Sequence, residues 1–366
     1  MKSFVYIVYS FINSVAIMSF KQKYKDIMAE VGKEKEDSVS YTRDSKVLIV
    51  DGMNLFIRTF SAIPTMNGDG IHVGGLVGFF RSLASTIKMI NPTRAIVVFD
   101  GKGGSTRRRA LFPDYKNNRA MKSRLNRAVG FDDLVDEQNA LKYQLLRTYH
   151  YLQELPITTI IIDNVEADDV IAYLANYFDE SVTILSNDKD FLQLVSNTVS
   201  VYSPIKKKLY TPSTLLQEYN IHASNFVIFK ALLGDNSDGI PGIRGFGEKT
   251  IMKQFPELSN TESVEFDSIL EKIKDYDGKT KAMVALQENI SQLELNYKLV
   301  QLIDVDISGT AKSMIRAIVE GDIPQLNKVG LLRMIQEDKV HNVFTRAEWW
   351  LGHNFSQLEA FRNKKG

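Results

Sequence analysis

Four short apolar runs, each ending at or leading into acidic residues, constrain this chain more than any other feature. Val47-Leu48-Ile49-Val50 ends at Asp51-Gly52, and Ala95-Ile96-Val97-Val98-Phe99 ends at Asp100-Gly101. Thr158 to Ile162 leads into Glu166-Ala167-Asp168-Asp169, and Val182 to Leu185 leads into Asp188-Lys189-Asp190. Unbroken rather than alternating apolar residues predict strands buried on both faces, as in a parallel sheet. Helical patterns lie between them: Asn54 to Ser61, Gly74 to Ile90 stopped by Asn91-Pro92, Phe131 to Leu155, and an apolar helix headed by the first acid group. This alternation predicts a doubly wound α/β sheet, mostly parallel, flanked by helices. Such sheets carry their sites outside the carboxyl ends of the strands, and Asp51, Asp100, Glu166, Asp168 and Asp188 all fall there. Taken singly, Asp168 or Asp188 reads equally well as an N-capping acid on a solvated rim. Taken together the acids repel one another unless a cation sits among them. The oxygen donors suit a hard divalent ion, Mg²⁺ or Mn²⁺.

The chain has 366 residues, enough for a large core and two subdomains. A net charge of +1 names no partner, but its distribution does. Gly101 to Ala128 holds nine Lys or Arg and one acid. This separation of basic and acidic regions predicts a polyanion contact beside a metal-binding cluster. Cysteine is absent, which excludes disulfides, thiolate zinc sites and Cys nucleophiles. Its absence fits a reducing cytoplasm, that of a host if the chain is viral. Phe4 to Met18 is nearly all apolar and follows Lys2, like the central region of a signal peptide. It is short for a membrane span. The preferred reading is a true start at Met18, with residues 1–17 not translated, residues 18–45 a flexible leader and no membrane contact. A membrane anchor is the lesser reading.

After Val201 a short hairpin around Pro204 to Lys208 gives way to helices only. Within them Gly239, Gly242, Gly245 and Gly247 precede a helix start at Glu248-Lys249-Thr250. Such a run can turn backbone N–H groups towards a phosphate. It is not a P-loop, because the Gly-x₄-Gly-Lys-Ser/Thr spacing is missing. The expected division is an α/β core at 46–203 with a basic segment at about 101–130, a helical subdomain at 204–303, and a helical extension at 304–366.

These motifs together resemble the 5′-nuclease family, which comprises flap endonucleases and the 5′→3′ exonuclease domain of bacterial DNA polymerase I. Among its members, single-domain bacteriophage 5′-exonucleases look most similar. The resemblance covers Val47 to about Ile303. It implies a PIN-like core, a helical arch over the active site and a helix–three-turn–helix element. Val-Asp51-Gly and Val-Phe-Asp100-Gly match the family's first two metal-binding acids. Glu166-Ala-Asp168-Asp169, Asp188-Lys-Asp190 and Gly-Asp235-Asn-Ser-Asp238 match the rest. Arg108 and Lys116, in the arch entrance, are implied to face the scissile phosphate. Gly242, Gly245, Gly247, Lys249 and Thr250 match the helix–three-turn–helix, where the family also holds a monovalent ion, K⁺. Arg58, Arg107, Tyr115, Arg119 and Lys122 are implied DNA contacts, with Tyr115 stacking on a base or simply packing. Two departures stand out: Arg107 and Ile57 replace residues that are aromatic in many relatives.

The implied activity is structure-specific, metal-dependent 5′→3′ exonuclease and flap endonuclease cleavage of DNA in replication or repair, with RNA primers open as a second substrate. Two ions about 3.5–4 Å apart can activate water and stabilise the leaving oxygen. Asp51, Asp100, Glu166 and Asp168 are expected to act with Lys116 and Arg108. Asp169 is expected mainly to orient ligands, and Asp235 and Asp238 to complete an outer position. The alternative is a non-catalytic DNA-junction binder on the same fold, which should have lost some carboxylates, and none is missing. A PIN-type ribonuclease would have about four acids and no Gly-rich hairpin. The extension at 304–366 is expected either to pack on the core or to dock a single-stranded-DNA-binding protein or sliding clamp, the protein otherwise acting as a monomer.

Overall fold

Period-2 side-chain alternation on a buried sheet sends successive residues to opposite faces, and the strands of this protein divide that way. The computed structural model describes residues 41–117 and 124–364. The expectations for the leader before Tyr41 and for Arg119 and Lys122 fall outside the described residues. Six strands, β1 (Lys46–Asp51), β2 (Arg94–Asp100), β3 (Thr158–Ile162), β4 (Ser181–Leu185), β5 (Val199–Ser203) and β6 (Lys208–Tyr210), form one sheet in the order β3-β2-β1-β4-β5-β6. All neighbours are parallel except β5 and β6. Val47, Ile49, Ile96, Val98 and Ile184 join one apolar core, and Leu48, Val50, Ala95, Val97 and Leu185 join another on the opposite face.

The connections are helical. They are α1 (Gly52–Ala62) and α2 (Gly74–Ile90) between β1 and β2, α3 (Thr106–Leu111) and α4 (Leu134–Gln153) before β3, and α5 (Ala167–Tyr177) before β4. The helix α2 ends where Asn91 adopts a left-handed conformation, φ 55°, one residue ahead of Pro92. The expected basic arch contains one helix among its described residues, the six-residue α3. Pro113 follows one residue after its end, and residues 112–117 and 124–130 run without an α-helix. The described part therefore forms no continuous basic helix. The expected helix from Phe131 begins at Leu134 instead, because Asp133 caps it through the Asp136 N–H at 2.8 Å.

Beyond β6 the chain is all helix: α6 (Pro212–Tyr219), α7 (Phe226–Leu233), α8 (Glu248–Gln254), α9 (Phe266–Lys274), α10 (Lys281–Gln287), α11 (Ile290–Val300), α12 (Gly309–Glu320), α13 (Lys328–Glu337) and α14 (Ala347–Phe361). Up to α12 these helices pack on the first core. The last two return to the second core, where Leu331, Ile335, Leu351, Phe355 and Leu358 join Phe79, Phe80 and Val97. Trp349 is 62% exposed and stacks on His353, while Trp350 packs on Phe344 and Phe355. Among the described residues no helix is long and apolar enough to cross a membrane.

Candidate active site

Each strand end that faces the site passes into a helix or turn, and the acid at that junction also caps backbone N–H groups. Asp51 closes β1 and accepts the Asn54 N–H at 3.0 Å and the Ser186 hydroxyl at 2.9 Å. Asp100 closes β2 and accepts the Ala167 N–H, in the first turn of α5, at 2.9 Å. Asp168 stands in that same turn. Asp188 follows β4 and accepts the Asp190 N–H at 2.9 Å at the start of a 3₁₀ helix, Lys189–Leu194. Asp51, Asp100, Asp168, Asp188 and Asp235 line one cleft of about 960 Å³, together with Ile57, Arg58, Lys116, Arg124, Arg127 and Lys230.

Burial raises the Asp51 carboxyl to about 7, with Asp188 and Asp100 adding to the rise. Burial also raises Asp188 to about 7, reinforced by Asp190, and holds Asp168 well above the usual carboxylate range beside Asp188, Asp51 and Asp100. Asp51, Asp168 and Asp188 are thus crowded and short of positive charge. Hard oxygen donors in that state suit a divalent cation. Among the described residues no three acids form a ready cage for an ion. Mg²⁺ keeps several of its waters, so its protein ligands can stand apart and bind through them.

Glu166 and Asp235 are already neutralised by the protein. Glu166 is 1% exposed, and its Oε1 accepts Lys116 Nζ at 2.5 Å and the Ser105 hydroxyl at 3.2 Å, while its Oε2 pairs with Arg108. Burial alone would raise its pKa, but Lys116 and Arg108 bring it down to about 2. Lys230, 4% exposed on α7, places Nζ 2.7 Å from both Asp190 and Asp235. Lys230 and Ser237 overcome burial and lower Asp235 to about 2. Sequence reasoning missed Lys230. Its signal was a single charge in the apolar run Phe226 to Leu233, five residues before Asp235.

Several expected placements change. Arg108 is 2% exposed and does not face the cleft. Its guanidinium is held by Glu166, by Asp169 at 2.6 and 2.9 Å, and by the Leu299 carbonyl at 2.9 Å. Asp169 is turned the same way, with Arg107 3.3 Å from its second oxygen. Tyr115 is 2% exposed, so its ring offers no face to a base. Its hydroxyl lies 3.3 Å from both Glu166 and Asp238, which is the packing alternative. Lys116, by contrast, lines the cleft, with Nζ 3.9 Å from Asp168 and 4.0 Å from Asp238. Its backbone N–H donates to the Asp238 carbonyl at 2.8 Å, tying the arch entrance to the helical region. Arg58 lines the cleft and donates to Ser82 at 3.2 Å.

The Gly-rich run folds as a tight reversal after α7. A Cβ on Gly242 would lie 2.1 Å from the Leu233 carbonyl oxygen, and Gly245 has φ +87°. Ile243 and Phe246 anchor the reversal in the core, leaving Gly242, Gly245, Gly247 and Lys249 exposed and Thr250 half-buried.

Two family profiles match end to end. Residues 46–220 match the 5′–3′ exonuclease N-terminal resolvase-like domain, and residues 221–318 the 5′–3′ exonuclease C-terminal SAM fold. The 5′–3′ exonuclease of Bacillus subtilis is 32% identical over 274 residues, covering 71% of this chain and 83% of the relative. The chain belongs to the 5′–3′ exonuclease family. It is therefore a nuclease, and the non-catalytic alternative falls. The 5′–3′ exonuclease of Aquifex aeolicus is 30% identical over 267 residues, with 71% and 83% covered. Solved structures agree in fold. A bacteriophage T5 flap endonuclease, in complex with DNA and metal ions, aligns with TM-score 0.57 at 24% identity over 80% of this chain and 99% of that one. The flap endonuclease-1 of Methanococcus jannaschii aligns with TM-score 0.51 at 14% identity over 87% and 94%.

Proposed function

We propose that the protein is a divalent-metal-dependent 5′→3′ exonuclease and flap endonuclease that hydrolyses DNA phosphodiesters where a 5′ single strand leaves a duplex, in the cytoplasm, during replication or repair. One observation carries this reading: four acids from four adjacent strand ends share a single cleft with Lys116. Asp51, Asp100, Asp168 and Asp188 would hold Mg²⁺ or Mn²⁺, with Asp190, Asp235 and Asp238 farther out. When bound, the metal supplies an activated water and neutralises the leaving oxygen. Lys116 Nζ exchanges its contact with Glu166 for the phosphate and stabilises charge growing there. Arg108 acts indirectly, by neutralising Glu166 and Asp169 behind the cleft. Arg58 and the exposed Gly242–Thr250 reversal bind DNA backbone, the latter with K⁺ on its carbonyls. Leu331 and Ile335 of α13 and Leu351, Phe355 and Leu358 of α14 lie in the core, which supports packing rather than docking of a single-stranded-DNA-binding protein or clamp. On this reading the protein acts as a monomer.

The test is cleavage of a 5′-labelled flap duplex by the chain starting at Met18, in Mg²⁺ and in EDTA. Asp51→Ala and Asp168→Ala should each abolish cleavage while retaining salt-sensitive binding. Near-native turnover by either variant, or cleavage in EDTA, would overturn the assignment.

A further inference from the structure

Past its undescribed portion the basic segment resumes at Arg124 and runs without helix or strand to Gly130. It is fastened by buried polar groups. Glu137, in the first turn of α4, is 0% exposed. Its Oε1 accepts the Leu125 N–H at 2.9 Å and the Asn126 N–H at 2.5 Å. Asn126, 5% exposed, donates from Nδ2 to the Phe60 carbonyl near the end of α1 and accepts the Ala128 and Val129 N–H groups, each at 2.9 Å. The Arg127 N–H donates to the Ser61 carbonyl at 2.9 Å.

A buried carboxyl group without a cationic partner is expensive. Glu137 has no salt bridge among the described residues, and its Oε2 makes no hydrogen bond. The helix does not need it for initiation, since Asp133 already caps α4. Its bonds fix the backbone of residues 125 and 126. On either side of the fixed pair stand Arg124 and Arg127, both exposed and both lining the cleft beside Asp51, Asp100, Asp168 and Lys116.

We infer that Glu137 is a positioning residue of the nuclease. Acting through the Leu125 and Asn126 amides, it holds Arg124 and Arg127 on the cleft wall, where they take two phosphates of the single strand passing the acids. A guanidinium forms strong charge-assisted bonds to phosphate. Holding the segment that carries it removes the ordering cost from binding. This inference rests on the DNA-cleaving reading above.

The experiment uses the full chain and the 5′-labelled flap duplex in Mg²⁺. It records KM, kcat, the salt dependence of binding and the thermal midpoint. Glu137→Ala should raise KM about tenfold with kcat within about twofold, and should flatten the salt slope by about 1.4, two contacts at about 0.7 each. Glu137→Gln keeps an acceptor oxygen and should restore KM to within about threefold of wild type. Adding Arg124→Gln and Arg127→Gln to Glu137→Ala should raise KM less than about twofold further, because the three changes remove one interaction. An unchanged KM and salt slope in folded Glu137→Ala, or arginine effects that multiply independently, would overturn the inference. Should Glu137→Ala fail to fold, Asn126→Ala, which removes the Phe60, Ala128 and Val129 bonds, faces the same KM criterion. A wild-type chain that neither binds nor cleaves the flap would refute the DNA-cleaving reading itself, and this inference with it.

Discussion

Replacing Asp51 by Asn should make the metal-free protein more stable at pH 8, although it removes a proposed metal ligand. Asp51 is 5% exposed. Burial, with Asp188 and Asp100 beside it, raises its carboxyl from the ordinary 3.8 to about 7. A folded-state pKa above the unfolded one means that the native state keeps a proton that the unfolded chain releases. The associated stability is fully present below about pH 4 and is lost as pH rises through about 7. That span corresponds to a ceiling of about 4 kcal/mol at 1.36 kcal/mol per pH unit. Asp51 titrates together with Asp168 and Asp188, so removing one carboxylate should recover about half of it, about 2 kcal/mol. Asn keeps the acceptor for the Asn54 N–H and the contact with Ser186. For a chain of this size the gain is about 2–3 °C in melting midpoint. The assay is thermal unfolding in EDTA from pH 4.5 to 8.5, followed by the same series in Mg²⁺. The gap should close towards pH 4, and Mg²⁺ should raise the wild-type midpoint more than that of Asp51→Asn. An Asp51→Asn midpoint at or below wild type at pH 8 in EDTA would refute the argument that these acids repel one another.

Lys230→Met leaves Asp190 and Asp235 without their shared ammonium. It should cost about 3–5 kcal/mol in urea unfolding with EDTA, and divalent ion should recover part of the loss. Lys116→Ala should lower single-turnover cleavage about 10²–10³-fold while flap affinity in a gel-shift or anisotropy titration falls far less. Phe355→Ala opens a cavity at a side chain of 0% exposure in the second core. It should destabilise the fold by about 3–5 kcal/mol, whereas a merely peripheral extension would lose under about 0.5 kcal/mol.

The sheet was legible because its signals are local. Unbroken apolar runs closed by Asp-Gly placed β1 and β2 to within a residue, and the helix expected at Gly74 to Ile90 has those same ends. The acids at the strand ends followed from the same rule. What the sequence hid depends on long-range pairing. The family resemblance implied that Arg108 is a phosphate ligand, yet it meets Glu166 and Asp169 more than fifty residues away and is buried with them. Lys230 required knowing that α7 sets its side chain between the 3₁₀ helix carrying Asp190 and the turn carrying Asp235. The resemblance implied a helical arch, but among the described residues Pro113 and the left-handed Lys116, φ 54°, interrupt a helix. The return of α14 to the sheet is equally invisible locally, since its aromatic residues suit any interface.

The salt-bridged setting of the cleft has a thermodynamic consequence. Asp51, Asp100, Asp168 and Asp188 share one side of the cleft, while Arg58, Lys116, Arg124, Arg127 and Lys230 line the rest of it. A phosphate that the cations draw in is repelled by the acids where it comes up against them, and a divalent ion relieves that local repulsion. On the proposed reading the two ligands therefore bind with positive coupling. Reciprocity requires that whatever factor the ion adds to strand affinity, the strand adds to ion affinity. Ion affinities measured on the free protein will accordingly understate those of the working complex, and the difference will shrink as added salt screens the charges.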